Sequence, residues 1–234
     1  MIPIRDENPS HGIPFITLLL IFSNGFVFFY QYFFGPIHPE RFLFEFGILP
    51  IEVMQNENLP NSSSIPPYLS LFTSMFLHGG FGHILGNMWY LWIFGDNLED
   101  YFGHWGFLTF YLVTGLAAGL THVFMNPSSE IPTIGASGAI SGVLGGYMIL
   151  HPRIRIKTLM FFGFFIQMIY VPAFFFLGIW FIMQLLGGLG PSGGIAFGAH
   201  IGGFVAGVFY LFLCTRRTPV PTQHPYDPHR HRRW

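Results

Sequence analysis

Between residues 13 and 214 the chain is a succession of six apolar runs, at about 13–34, 74–95, 106–125, 136–151, 172–189 and 195–214, separated by charges, prolines and glycines. A helix needs roughly 20 apolar residues to cross the hydrocarbon core of a bilayer. So many such runs leave little chain for anything except a bundle in lipid. Composition agrees: 51% of the 234 residues are hydrophobic, 30 are Phe and only 9% are charged, against about 25% charged in soluble domains. The expected fold is all-α, a polytopic membrane protein with a bundle of six transmembrane helices. The run 136–151 is short for a full crossing, which places its outer end in a water-accessible recess. The apolar stretch 158–186 is too long for one span. Residues 158–171 are read as a loop or interfacial segment, and the fifth span starts at Pro172, where a missing N–H costs least.

The charges orient this bundle. Of the ten Lys and Arg, all but Arg41 fall in cytoplasmic segments if the N-terminus is inside, as the positive-inside rule prefers. The chain then divides into a cytoplasmic N-terminus (1–12), a membrane domain (13–214) and a disordered cytoplasmic tail (215–234) rich in Pro, His and Arg, read as solvated and functionless in preference to one that touches anionic lipid. Residues 35–73 form one long external loop. No basic leader with a small-residue cleavage site precedes the first run, so that span is expected to stay in the mature protein. A single cysteine, Cys214, rules out an internal disulfide.

With that orientation, polar residues inside the spans acquire a depth. "HGGFGHILGNMW" sets His83 and Asn87 at i and i+4 on one face of the second span. "PTIGASGAISG" puts Ser137 at the outer end of the fourth, and "FGAHIGGFVAG" puts His200 about one turn into the sixth. Four polar groups from three helices therefore share one layer. Each alone has an ordinary structural explanation, a local hydrogen bond or helix packing. Together, a serine and a histidine at matched depth supply a nucleophile and its base. His83, Asn87 and the N–H groups opening the fourth span can donate to an oxyanion. No carboxylate is placed to complete a triad: Asp96, Glu99 and Asp100 lie at the cytoplasmic end of the second span and are expected to cap or anchor the loop that follows. Gly138 and Gly142, like Gly203 and Gly207, are four apart, the small-residue spacing that lets two helix backbones touch. Ser141 lies about 6 Å deeper than Ser137 and is read as a packing hydroxyl.

The segments "FLHGGFGHILGNMW", "GDNLED", "GASGAISG" and "GAHIGGFVAG", in this order, resemble the rhomboid intramembrane serine proteases over about residues 65–214. The resemblance implies that Ser137 is the nucleophile, His200 its base and His83 and Asn87 the oxyanion residues, with His78 structural. It also implies an acyl-enzyme mechanism without metal or cofactor. Where many relatives carry Trp-Arg before the second span, this chain reads Leu69-Ser70. The expected function is hydrolysis of peptide bonds in or next to transmembrane segments of other membrane proteins, in the plasma membrane. Its partners would be transmembrane substrates and membrane lipid, not nucleic acid. A catalytically inactive rhomboid-like escort is the alternative; a transporter is disfavoured because paired mid-membrane charges are missing. "GGLGPSGG" (residues 187–194) is a candidate flexible cap over the site or an ordinary turn. Reporter fusions after residues 155 and 217 should read cytoplasmic and one at Pro191 external; a cytoplasmic signal at Pro191 would overturn the shared depth of the four polar groups.

Overall fold

Gly103 decides how the longest helix is used. The computed structural model describes residues 1–35, 38–60, 62–162, 165–190 and 193–215, and within it Phe81–Met125 forms helix α5 of 45 residues. Residue 103 has φ 69° and ψ 168°, a backbone that glycine adopts readily and other residues do not. The helix therefore kinks there into arms 81–102 and 104–125, each about 33 Å long. The first and last apolar runs form α1 (Phe15–Phe29), which continues as a π turn over Tyr30–Phe34, and α8 (Phe197–Thr215). The shorter fourth and fifth runs form α6 (Ser137–Leu150) and α7 (Ala173–Gly187), the latter starting directly after Pro172 as expected. By length and composition α1 with its π turn, α5 and α8 are able to cross a membrane. Outward faces carry large apolar side chains such as Phe22, Phe26, Phe175 and Phe209, which suits a protein solvated by lipid rather than water.

Helix α6 is the centre of the molecule. Ten consecutive residues, Gly138 to Tyr147, are buried, because α8 covers one side and the second arm of α5 another. Its glycines make this possible. A Cβ on Gly203 or Gly207 of α8 would come within 2.0 Å of the carbonyl oxygen of Gly138 or Gly142, so the two backbones are in direct contact, as the spacing predicts. On the other side Gly142 accommodates Thr114 and Gly138 accommodates Ala118. Below this layer the core is aromatic: Tyr147 stands edge-on to Phe94 at 5.0 Å and Phe181 stacks on Phe204 at 4.4 Å.

Three elements depart from the sequence expectation. First, the fold is mostly helical but not all-α. Of the segment 158–171, read as a loop or interfacial segment, residues 158–162 and 165–171 belong to the paired strands β2 (Arg155–Phe162) and β3 (Phe165–Pro172), and β1 (Ile2–Asp6) adds a third antiparallel strand by pairing Ile2 with Leu159 and Asp6 with Ile156. The stretch is rich in β-branched and aromatic residues, which favour strands, and a short apolar run does not reveal its period. Second, the loop 35–73 contains α2 (Pro39–Phe46), α3 (Pro50–Gln55) and α4 (Pro67–Thr73). Buried Glu52 organises it, accepting from the N–H of Leu59 at 2.7 Å and from the hydroxyl of Ser62. Leu69 and Ser70, the positions of the missing Trp-Arg pair, lie in α4, with the Ser70 hydroxyl donating to the Pro67 carbonyl at 2.6 Å. Third, the second span starts at Phe81 rather than 74, after a 3₁₀ turn over Ser74–Phe76. The tail from residue 216 on lies outside the described residues.

The acidic cluster does more than anchor the loop after it. Helix α1 begins after Pro14, which offers no capping side chain, so its first N–H groups need an acceptor from elsewhere. Glu99 supplies it, accepting from the N–H groups of Ile16 and Thr17 at 2.7 and 2.8 Å and from the Thr17 hydroxyl at 2.7 Å. Across the Gly103 bend it also meets His104 Nδ1 at 2.5 Å. Asp100 accepts the His11 N–H at 2.6 Å. The N-terminal strand is held in turn by the Trp89 indole N–H on the Pro3 carbonyl, 2.7 Å, and by the Tyr147 hydroxyl on Asp6.

Burial pushes the Asp6 carboxyl up to about 6, with Asp96 pushing the same way and the Tyr147 hydrogen bond opposing. Because the folded chain holds this proton more tightly than the unfolded one, the contribution is complete below the ordinary value of 3.8 and is lost as pH rises through about 6. Melting in detergent should therefore fall more between about pH 4 and pH 7 in the wild type than in Asp6→Asn. Equal losses would show that Asp6 is not proton-linked to folding.

Candidate active site

Residues from α5, α6, α7 and α8 converge on one open cavity of about 1160 Å³, lined by His83, Asn87, Ser137, Trp180, Gln184 and His200 among others. Ser137 is the first residue of α6, so its own N–H and those of the first turn have no acceptor within the helix. Its hydroxyl lies 2.9 Å from His200 Nε2, a distance fixed by the glycine contact that begins at the next residue of α6. The other imidazole nitrogen, Nδ1, lies 2.8 Å from Gln184 Oε1 on α7. The ring is also flanked by Trp180 at 6.0 Å and Phe197 at 6.5 Å between centroids. A hydroxyl bonded to an imidazole that is itself held from behind is the arrangement that activates a serine for attack.

The first arm of α5 contributes the donors. Asn87 is buried, and its side-chain NH₂ has no hydrogen-bond partner among the described residues. His83 accepts the Gly79 N–H on Nδ1 at 3.4 Å, which leaves Nε2 to carry the proton. Both point at Gly135, two residues before Ser137: a Cβ there would stand 2.7 Å from His83 Nε2 and 3.6 Å from Asn87 Nδ2. Gly135 has φ +116° and its N–H donates to the Ser74 carbonyl at 2.9 Å. An unpartnered amide and an imidazole N–H facing the segment that leads into the serine are able to receive negative charge as it develops. The connection that carries α2 to α4 holds this segment in place, since Ile48 and Thr133 exchange both backbone hydrogen bonds, at 3.0 and 2.8 Å.

The family model described as Rhomboid domain matches residues 67–217, more than half of the sequence. The chain belongs to the rhomboid family. Similar proteins include RHOMBOID-like protein 5 of Arabidopsis thaliana, 32% identical over 63% of this chain and 44% of that protein. Rhomboid protein 1, mitochondrial, of Saccharomyces cerevisiae is 29% identical over 67% of this chain and 45% of its own. Rhomboid protease GluP of Bacillus subtilis is 32% identical over 58% and 25%. The matched part thus spans less than half the length of each of these relatives.

Within this rhomboid, all four residues selected from the sequence, Ser137, His200, His83 and Asn87, line the same cavity. Ser141 lines the cavity too, but its hydroxyl donates to the Ser137 carbonyl at 2.6 Å rather than to His200. His78 is fully buried, its ring 5.0 Å from that of His83, and its carbonyl accepts from Gln31 at 3.2 Å. Gly188, Gly190 and Gly194 of the proposed cap line the cavity as well; Pro191 and Ser192 lie outside the described residues. Gln184 was not among the sequence candidates. Its signal was available, because it is the one amide in the fifth apolar run, the same kind of reasoning that selects Asn87.

Gly135→Ala tests this geometry directly. The backbone angle disfavours any side chain by about 1–3 kcal/mol, and the added methyl would displace His83. Melting should drop by several degrees and the His83 imidazole resonances should shift; an unchanged His83 spectrum would mean that the ring is not seated against residue 135.

Proposed function

We propose that this rhomboid is an intramembrane serine endopeptidase that cuts other membrane proteins in or next to a transmembrane segment, near the outer face. The observation that carries the reading is the 2.9 Å contact between the Ser137 hydroxyl and His200 Nε2, at the end of a buried helix and open to a cavity large enough for an extended peptide. In this reading α1, the two arms of α5, α6, α7 and α8 make six crossings with both termini on the basic, cytoplasmic side. Pairing of Arg5 with Lys157 across β1 and β2 supports putting the N-terminus and the loop after α6 on one side. Placement in the plasma membrane is likewise a proposal, to be checked by fractionation, since the yeast relative is named as mitochondrial.

His200 Nε2 removes the hydroxyl proton as Ser137 Oγ attacks the scissile carbonyl carbon. The resulting oxyanion receives hydrogen bonds from Asn87, His83 and the N–H groups at the start of α6, where the helix dipole also favours negative charge. His200 returns its proton to the departing amine, leaving an acyl ester on Ser137. Water, deprotonated by the same imidazole, then releases the second product. A helical substrate shields its own carbonyls, so segments with small or helix-breaking residues near the cut are the better substrates.

A fluorophosphonate or isocoumarin probe, applied in detergent or liposomes, should label the wild type. Labelling should disappear in Ser137→Ala, fall sharply in His200→Ala and survive in Ser141→Ala, with cleavage of a model transmembrane substrate following the same order. Asn87→Ala should retain the fold and lose about 10²–10³ in cleavage rate. Folded wild-type protein that neither labels nor cuts would favour an escort instead.

A further inference from the structure

We propose that Gln184 is the positioning residue that fixes the tautomer and orientation of His200, a role resting on the reading of His200 as the general base. A general base must offer a lone pair to the serine hydroxyl, so the proton of the neutral ring has to sit on Nδ1. Serine proteases with a triad secure this with a carboxylate, which can only accept. Here the two ring nitrogens of His200 are occupied by Ser137 and Gln184, with no carboxylate bonded to either among the described residues. An amide is ambiguous in that position: its oxygen facing the ring selects the useful tautomer, and its NH₂ facing the ring selects the useless one.

Trp180 removes the ambiguity. The NH₂ of Gln184 lies 3.3 Å from the Trp180 carbonyl oxygen, one turn back along α7. A carbonyl can only accept, so the NH₂ must face it, and Oε1 is left facing His200 Nδ1 at 2.8 Å. The relay runs from the Trp180 carbonyl through Gln184 to the His200 Nδ1–H and leaves Nε2 free to accept from Ser137. The same residue holds the ring plane, since the Trp180 indole lies 6.0 Å from the imidazole at 36°. One turn of α7 thus sets both the direction and the protonation of the base. An amide does this without charge; it orders the neutral ring but stabilises the imidazolium less than a carboxylate would.

The test has an arm that does not depend on catalysis. Nitrogen NMR of ring-labelled wild-type protein in detergent should show His200 protonated on Nδ1 in its neutral form, and Gln184→Leu should give a mixture of tautomers. In cleavage of a model transmembrane substrate, Gln184→Leu should lower kcat about 10–100-fold with KM nearly unchanged. Gln184→Glu should restore most of kcat and move the acid limb of the pH profile upward. The other titratable side chains acting on His200, His83 and His122 from α5, are common to all variants, so that shift reports the new carboxylate. Should the leucine variant not reach wild-type melting, Gln184→Met replaces it. A wild-type ring protonated on Nε2 would overturn the inference. So would equal impairment of the leucine and glutamate variants with an unmoved acid limb, or a folded leucine variant with wild-type kcat. Wild-type protein that shows the Nδ1 tautomer yet labels with no serine probe would instead overturn the protease reading.

Discussion

The direct contact between the backbones of α6 and α8 is the constraint from which the rest of the molecule follows. Gly203 sits on the Gly138 carbonyl and Gly207 on that of Gly142, with no side chain between them. Lipid provides no hydrophobic drive for two apolar helices to associate, so close packing has to supply the attraction, and many small dispersion contacts do so collectively. The same contact sets the reach between the helix ends. Ser137 immediately precedes Gly138 and His200 lies one turn before Gly203, so the hydroxyl and the imidazole meet because their helices cannot stand further apart. A bulkier seam would separate them before any change at the site itself.

A second group of interactions closes the opposite end. Glu99 satisfies the start of α1, the Thr17 hydroxyl and His104 together, tying the first helix to both sides of the Gly103 bend. Asp6 and Trp89 fasten the N-terminal strand to the same region. One end of the bundle is thus knotted by hydrogen bonds around a buried carboxylate, while the end that carries Ser137 is open. Bonding and openness are distributed along the same helices rather than among separate domains.

Much of this was legible in the amino-acid order. Apolar runs placed the helical segments to within about two residues, except the second, which starts seven residues later than expected, because lipid imposes length and polarity on a crossing. Glycine spacing identified the α6–α8 seam, and matched depth selected Ser137, His200, His83 and Asn87. What stayed hidden has physical reasons. Beyond Lys157 strands β2 and β3 are almost wholly apolar, so they have neither alternation nor helical period to betray them, and the third strand comes from the far end of the chain. Glu99 was expected only to cap or anchor the loop after it, because its partners in α1 lie some 83 residues away in sequence. Gln184 stood out as the one amide of its run, but only the packing of α7 against α8 makes it a neighbour of His200.

The pairing of β1 with β2 also sets an order of assembly on the ribosome. Ile2 is made well before its partner, Leu159. At about 5–20 residues per second the partner emerges roughly 8–30 s later. Helix α1 waits a shorter time for Glu99, and until then its first N–H groups have only water or lipid headgroups to bond. The N-terminal strand therefore stays unpaired while four of the six apolar runs are synthesised. Arg5 suits it to that delay, since a positive charge resists translocation until the strand that will hold it has been synthesised.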